Sequence, residues 1–135
     1  MTGSAEPDSA NILIADDDPE ILAILRRRLR DVGYHTIEAV DGEEALTLAR
    51  AHSPDVVILD VMMPKKNGWE VARELRADPL LADVGILVLT AIGARVNEIT
   101  SPLYDVDDYL DKPFEFETLD AKVANVLVTR RTRRR

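Results

Sequence analysis

Four stretches of this 135-residue chain run from apolar residues into a polar group: Asp16 and Asp17 follow Asn11–Ala15, Asp60 follows Val56–Leu59, Thr90 closes a run from Val84, and Lys112 comes just after Val106–Leu110. Short, unbroken, β-branched runs of this kind read as strands buried on both faces. Open α/β sheets bind ligands beyond the carboxyl ends of their strands, so these side chains are expected to converge. Carboxylates crowded together repel one another, and the usual resolutions are a raised pKa or a bound hard cation. Oxygen donors without His or Cys favour Mg²⁺, which takes one or two carboxylates and keeps the rest of its shell for water and phosphate oxygens. Lys112 as a point charge and Thr90 as a hydroxyl donor suit the oxygens of an in-line phosphoryl transfer. With Asp60 as nucleophile, the product is an acyl phosphate.

Each of these residues also has an ordinary structural account. Asp60 could cap the turn after its strand, Thr90 could satisfy strand-end backbone groups, and Lys112 could be a solvated turn residue. Helix capping accounts for one acid of the Asp16-Asp17-Asp18 run, since only Asp18 is needed before Pro19. Trp69 reads as packing near a helix start. His35 and His52 have no partners at ligand spacing.

The elements that must position these groups alternate. After the first strand, Asp18 and Pro19 open a helix whose stripe is Ile21, Leu22, Leu25 and Leu29, and Gly33 is placed to end it. Tyr34–Ala39 reads as the second strand, and Asp41 caps a helix burying Ala45, Leu48 and Ala49. The strand ending at Asp60 is followed by a loop over Met62–Asn67. A helix then runs from near Gly68, burying Val71, Ala72 and Leu75, until Asp78-Pro79 stops it. Val84–Thr90 is the fourth strand. A helix from about Ala94 is expected to be short or kinked, because Pro102 removes an amide bond and clashes with the preceding turn. Val106–Leu110 is a short fifth strand, and Glu115 to about Val128 the last helix, burying Leu119, Val123, Val126 and Leu127. Five strand-helix alternations predict a doubly wound parallel α/β sheet.

The length fits one domain, expected over residues 11–128 between a disordered tail at 1–10 and an Arg-rich tail at 129–135. With 17 basic and 25 acidic residues the net charge is −8. Five Arg fall in the last six positions, so everything before them carries 12 basic against 25 acidic residues, or −13, which argues against nucleic-acid binding by the folded body. The Arg-rich end is read as a solvated tail, with removal expected to leave the thermal midpoint nearly unchanged. The chain holds no cysteine, hence no disulfide or thiolate metal site. Neither a signal peptide nor a membrane span is visible, so a cytoplasmic location is expected.

Taken with their order and separations, ILIADDDPEI, VVILDVMMPKKNGWE, ILVLTA and DDYLDKPF resemble the receiver domain of bacterial two-component response regulators over nearly all of Asn11–Val128. The resemblance implies a five-stranded flavodoxin-like fold with strand order 2-1-3-4-5. It makes Asp60 the phosphoacceptor, with Mg²⁺ held by Asp17, Asp60 and the main-chain carbonyl of Met62, and with Asp16 in the same acidic pocket acting mainly through water. Thr90 would sense the phosphoryl group, Lys112 pair with it, and Tyr109 turn inward as Thr90 moves. The implied donor is a sensor histidine kinase or phosphotransfer protein; the downstream target is unspecified, and a phosphorylation-dependent dimer is open to such a domain. The family usually has Gly-Ala where this chain has Asp105 and Val106. Other readings are a receiver-like scaffold that is not phosphorylated and a haloacid-dehalogenase-like phosphatase. The phosphatase wants an acid two residues after the nucleophile, where Met62 stands. Flavin binding lacks a phosphate-cradling loop after the first strand.

Overall fold

The computed structural model describes residues 10–91 and 105–134. The elements are β1 (Asn11–Ala15), α1 (Pro19–Val32), β2 (His35–Ala39), α2 (Gly42–His52), β3 (Val56–Asp60), α3 (Gly68–Ala77), β4 (Gly85–Thr90), β5 (Asp108–Asp111) and α4 (Phe116–Arg134). The strands form one parallel sheet in the order β2-β1-β3-β4-β5, the doubly wound order expected. The helix expected from Ala94, its Pro102, and the tail residues 1–9 lie outside the described residues. No helix among the described residues is long and apolar enough to cross a membrane.

Strand alternation divides the core into two layers. Ile12, Ile14, Val56, Ile58, Leu87 and Leu89 face Leu22, Leu25 and Leu29 of α1 and Leu119, Val123 and Val126 of α4. Leu13, Ala15, Val57, Leu59, Ile86 and Val88 face Ala45, Leu46 and Ala49 of α2 and Val71, Ala72 and Leu75 of α3. Burying a leucine such as Leu25 or Leu29 completely is worth about 1.5–3 kcal/mol, so these stripes hold the helices to the sheet.

The helix ends follow local chemistry. Asp18 accepts from the Glu20 amide ahead of Pro19, and Gly33, at φ 117°, donates to Arg30 O and Leu29 O at the other end of α1. Asp41 caps α2 through the Glu44 amide. A reciprocal capping box, each bond 2.9 Å, joins Asn67 and Glu70 at the start of α3.

Six expectations shift. Ala10, assigned to the tail, is buried and its carbonyl accepts from His35 N. Tyr34 precedes β2 because its amide bonds Leu29 O in the α1 cap, and Val84 precedes β4 because its amide closes a turn onto Leu81 O. Leu46 rather than Leu48 is the fully covered leucine of α2, and Leu48 only borders the core. β5 begins at Asp108, not Val106, because Arg76 of α3 takes over the segment before it. The Arg76 guanidinium donates to the carbonyls of Ala82, Val84 and Asp105 and to Asp107 Oδ2, while Asp107 Oδ2 also accepts from Ile86 N. Asp105 sits there at φ 57°, a left-handed conformation that glycine adopts without cost.

The sixth concerns the last helix, which continues from Val128 through Arg134. Thr129 Oγ1 donates to Asn125 O, and the Arg130 side chain, 11% exposed, reaches Asp55 Oδ1 through its guanidinium at 3.2 Å. The run after Val128 is therefore helix through Arg134, and its first Arg is docked on the loop before β3.

Candidate functional site

Strand register brings the acids together. Ala15 pairs with Leu59, so Asp16 leaves β1 beside Asp60 at the end of β3. Leu89 pairs with Asp60 and Thr90 with Asp111, which places Thr90 at the end of β4 and Lys112 one residue beyond β5. The Lys112 amide donates to Thr90 O at 2.8 Å, fixing where its side chain departs.

Asp16, Asp60 and Thr90 are the buried polar residues among those described. Asp16, Asp17 and Asp60 each offer a carboxylate oxygen within 4.8 Å of the others, Asp17 from the solvent side. Lys112 Nζ lies 2.9 Å from Asp16 Oδ2 and 3.0 Å from Asp60 Oδ1. Asp16 uses its other oxygen to accept from the Asp18 amide at 2.9 Å, which holds the turn into α1. The sequence reading gave that turn to Asp18 alone; the Asp-x-Asp spacing of an Asx turn was the available signal.

Burial pushes the Asp60 carboxyl above its usual range; the Lys112 hydrogen bond opposes this, and the charges of Asp16 and Asp17 add to it. Burial would lower the Lys112 pKa, but its bonds to Asp16 and Asp60 outweigh that, and the ammonium is held above its ordinary value. The site is a desolvated carboxylate cluster with one cation wedged into it. Its donor set is all oxygen, partly buried and partly open, which fits a hard divalent ion.

Met62 lies two residues beyond Asp60, 70% exposed, in a loop held by Val61 N to Leu89 O and Gly68 N to Val61 O. Tyr109 is partly buried, packs against the α2–α3 layer and has Lys122 Nζ 6.0 Å from its ring centre; it does not join the acids. Trp69 packs against the same layer. His35 and His52 are exposed. A recess of about 500 Å³ runs along β5 and α4 past Tyr109, Phe114 and Lys122, whereas the chemistry sits at the strand ends.

The response regulator receiver domain family matches residues 12–124. This chain belongs to that family. The receiver is 47% identical over 116 residues to the probable transcriptional regulator ycf27 of Guillardia theta, covering 86% of this chain and 44% of that protein. It spans about half the length of the curated relatives it matches. A putative response regulator from Chloroflexus aurantiacus superposes with a TM-score of 0.85 at 37% identity, over 89% of this receiver and 98% of that chain. The receiver domain of the Pseudomonas aeruginosa sensor histidine kinase PA1611, which has a magnesium ion coordinated in its active-site cleft, superposes with a TM-score of 0.82 at 27% identity, over 89% and 98%. The acidic pocket of Asp16, Asp17 and Asp60 is consistent with a phosphoacceptor role in two-component signalling.

Proposed function

We propose that this receiver takes a phosphoryl group from a phosphohistidine onto Asp60 in a Mg²⁺-dependent reaction and passes the signal on by a change of conformation. The observation that carries the reading is the placement of Lys112 against both Asp16 and Asp60, in a pocket where three carboxylates gather. Asp17, Asp60 and the main-chain carbonyl of Met62 would hold the ion, with Asp16 beside it. When bound, it supplies positive charge that offsets the incoming phosphoryl oxygens.

The chain's own groups account for the remainder. Lys112 favours the ionised form of Asp60, the form that attacks phosphorus, against the burial that opposes it. An Asp60 oxygen forms the O–P bond as the donor's N–P bond breaks, the electron pair staying on the departing nitrogen, and a donor imidazole protonated on its other ring nitrogen leaves neutral. Lys112 can turn its ammonium from the Asp60 carboxylate to a phosphoryl oxygen with little movement. Thr90, buried at the next strand end, is the hydroxyl that meets another phosphoryl oxygen, and Tyr109 follows it as the switch. The domain catalyses only its own phosphorylation and dephosphorylation. Its donor is a sensor histidine kinase or phosphotransfer protein; relatives named as transcriptional regulators point to transcription as the output, in the cytoplasm, with dimerisation on phosphorylation as one route.

Phosphoramidate, whose P–N bond resembles that of the donor, tests this. Label should enter the wild type with Mg²⁺ present and not with excess EDTA. Equal labelling in both would contradict the metal's part.

A further inference from the structure

The loop that carries Met62 is not anchored by the acids alone. Across from it stands the first residue of α2, and there the two backbones touch. A β-carbon built on Gly42 would lie 2.1 Å from Lys66 O, 2.6 Å from Lys66 Cβ and 2.7 Å from Lys66 C. Two of those atoms are backbone, so they cannot swing aside as a side-chain tip could. The Gly42 amide points at Pro64 O, 3.4 Å away, and Pro64 O also accepts from Lys66 N at 2.8 Å. Lys65, between them, is held at φ 72°, and its ammonium lies 3.6 Å from Asp41 Oδ2, the cap of the same helix. The β3–α3 loop is thus clasped to the start of α2 by a backbone contact that only glycine admits, an amide-to-carbonyl approach and an ion pair.

We propose that Gly42 is a positioning residue for the phosphoacceptor loop. It touches no acid, yet by letting Lys66 close onto α2 it fixes the path from Asp60 to Asn67 and with it the main-chain carbonyl of Met62. This rests on the reading that Asp17, Asp60 and that carbonyl hold Mg²⁺. A methyl group at Gly42 has to push the loop outward by an appreciable fraction of an ångström, and misplacements of about 1 Å weaken precisely held sites by factors of up to about 10². The acids, anchored by strand register and by Lys112, stay where they are.

The test is Mg²⁺ binding by calorimetry together with hydrogen exchange of the loop amides, on the full chain. Gly42→Ala should weaken Mg²⁺ binding at least about fivefold and speed exchange at Met63 and Lys66 about tenfold. Ala45→Gly weakens the same helix without adding an atom beside the loop, and should lower the thermal midpoint while leaving Mg²⁺ affinity and loop exchange near wild type. If Gly42→Ala behaves like Ala45→Gly in both readouts, Gly42 is a packing residue only and the proposal is overturned. Should Gly42→Ala not fold, Lys65→Val, whose β-branched side chain resists the left-handed backbone at φ 72° and carries no ammonium for Asp41, strains the clasp with Gly42 intact; faster exchange and at least about twofold weaker binding support the clasp, and wild-type values overturn it. A wild-type protein that binds no Mg²⁺ would instead refute the metal reading beneath it.

Discussion

Lys112 Nζ lies 3.0 Å from Asp60 Oδ1, so the proposed nucleophile is already paired with the cation its product would need. The same ammonium serves Asp16, 2.9 Å away and completely buried. Removing one partner of such a cluster leaves the others uncompensated, which costs more than the pair contributes. Lys112→Ala should therefore lower stability at pH 7 by about 1–3 kcal/mol and slow labelling of Asp60 by at least about tenfold. Denaturant unfolding and phosphoramidate labelling measure the two effects.

The raised pKa of Asp60 sets a sign. A carboxyl held above its unfolded value adds stability at pH below that value, near 3.8, and loses the contribution as pH rises through the folded pKa. Asp60→Asn removes the penalty of a desolvated charge. Its advantage over wild type should be smallest in acid, open as pH climbs past the ordinary carboxylate range, and persist at pH 7. Thermal midpoints of both proteins between pH 3 and 7 check this; a gap that closes as pH rises would be contrary.

Mg²⁺ relieves the same repulsion. At an ion concentration about 100-fold above its Kd, binding to the folded state alone adds about 2.7 kcal/mol, so millimolar Mg²⁺ at pH 7 should raise the midpoint by several degrees. The rise should shrink in Asp17→Asn. A midpoint that ignores Mg²⁺ would count against convergence of the acids on an ion.

Arg76 and Asp105 give a prediction away from the site. Asp105 at φ 57° pays a conformational penalty of about 1 kcal/mol that glycine would not, and what Arg76 bonds at 2.8 Å is the Asp105 carbonyl, which survives substitution. The Asp105 carboxylate, 83% exposed and 3.7 Å from Arg76, adds little. Asp105→Gly should stabilise by about 0.5–1 kcal/mol, and Arg76→Ala, which strands three carbonyls and Asp107, should destabilise by about 2–3 kcal/mol. Chemical denaturation resolves both.

The helix beyond Val128 is also testable by length. Because Arg130 reaches Asp55, ending the chain at Val128 should cost about 1 kcal/mol, whereas ending it at Thr132 should cost almost nothing. Equal midpoints for the two truncations would show that the Arg130 contact contributes no stability.

Much of the fold and of the acidic site is legible in the sequence. Apolar runs broken by Asp16, Asp60 and Lys112 marked the strand ends, and Asp18-Pro19 with Gly33 bounded α1, because capping chemistry is local. What escaped was decided at a distance. Tyr34 is the exception, because Gly33 at the end of α1 already implies that the next amide turns back to Leu29 O. Leu46 and Leu48 differ only in where α2 comes to lie on the sheet. Arg76 reaches over β4 to the residues before β5, so the start of β5 at Asp108 rather than Val106 is set by a contact distant in sequence. Likewise an Arg-rich end reads as solvated until Arg130 is seen against Asp55.

In the proposed reaction one residue, Asp60, carries the phosphoryl group. Acetyl phosphate and Mg²⁺, followed by borohydride reduction and peptide mass mapping, test it directly, because borohydride converts an aspartyl phosphate to homoserine. Homoserine should appear at position 60 alone, be lost without Mg²⁺ and be absent from Asp60→Asn. Homoserine at position 16 or 17 of the wild type, or undiminished label in Asp60→Asn, would contradict it.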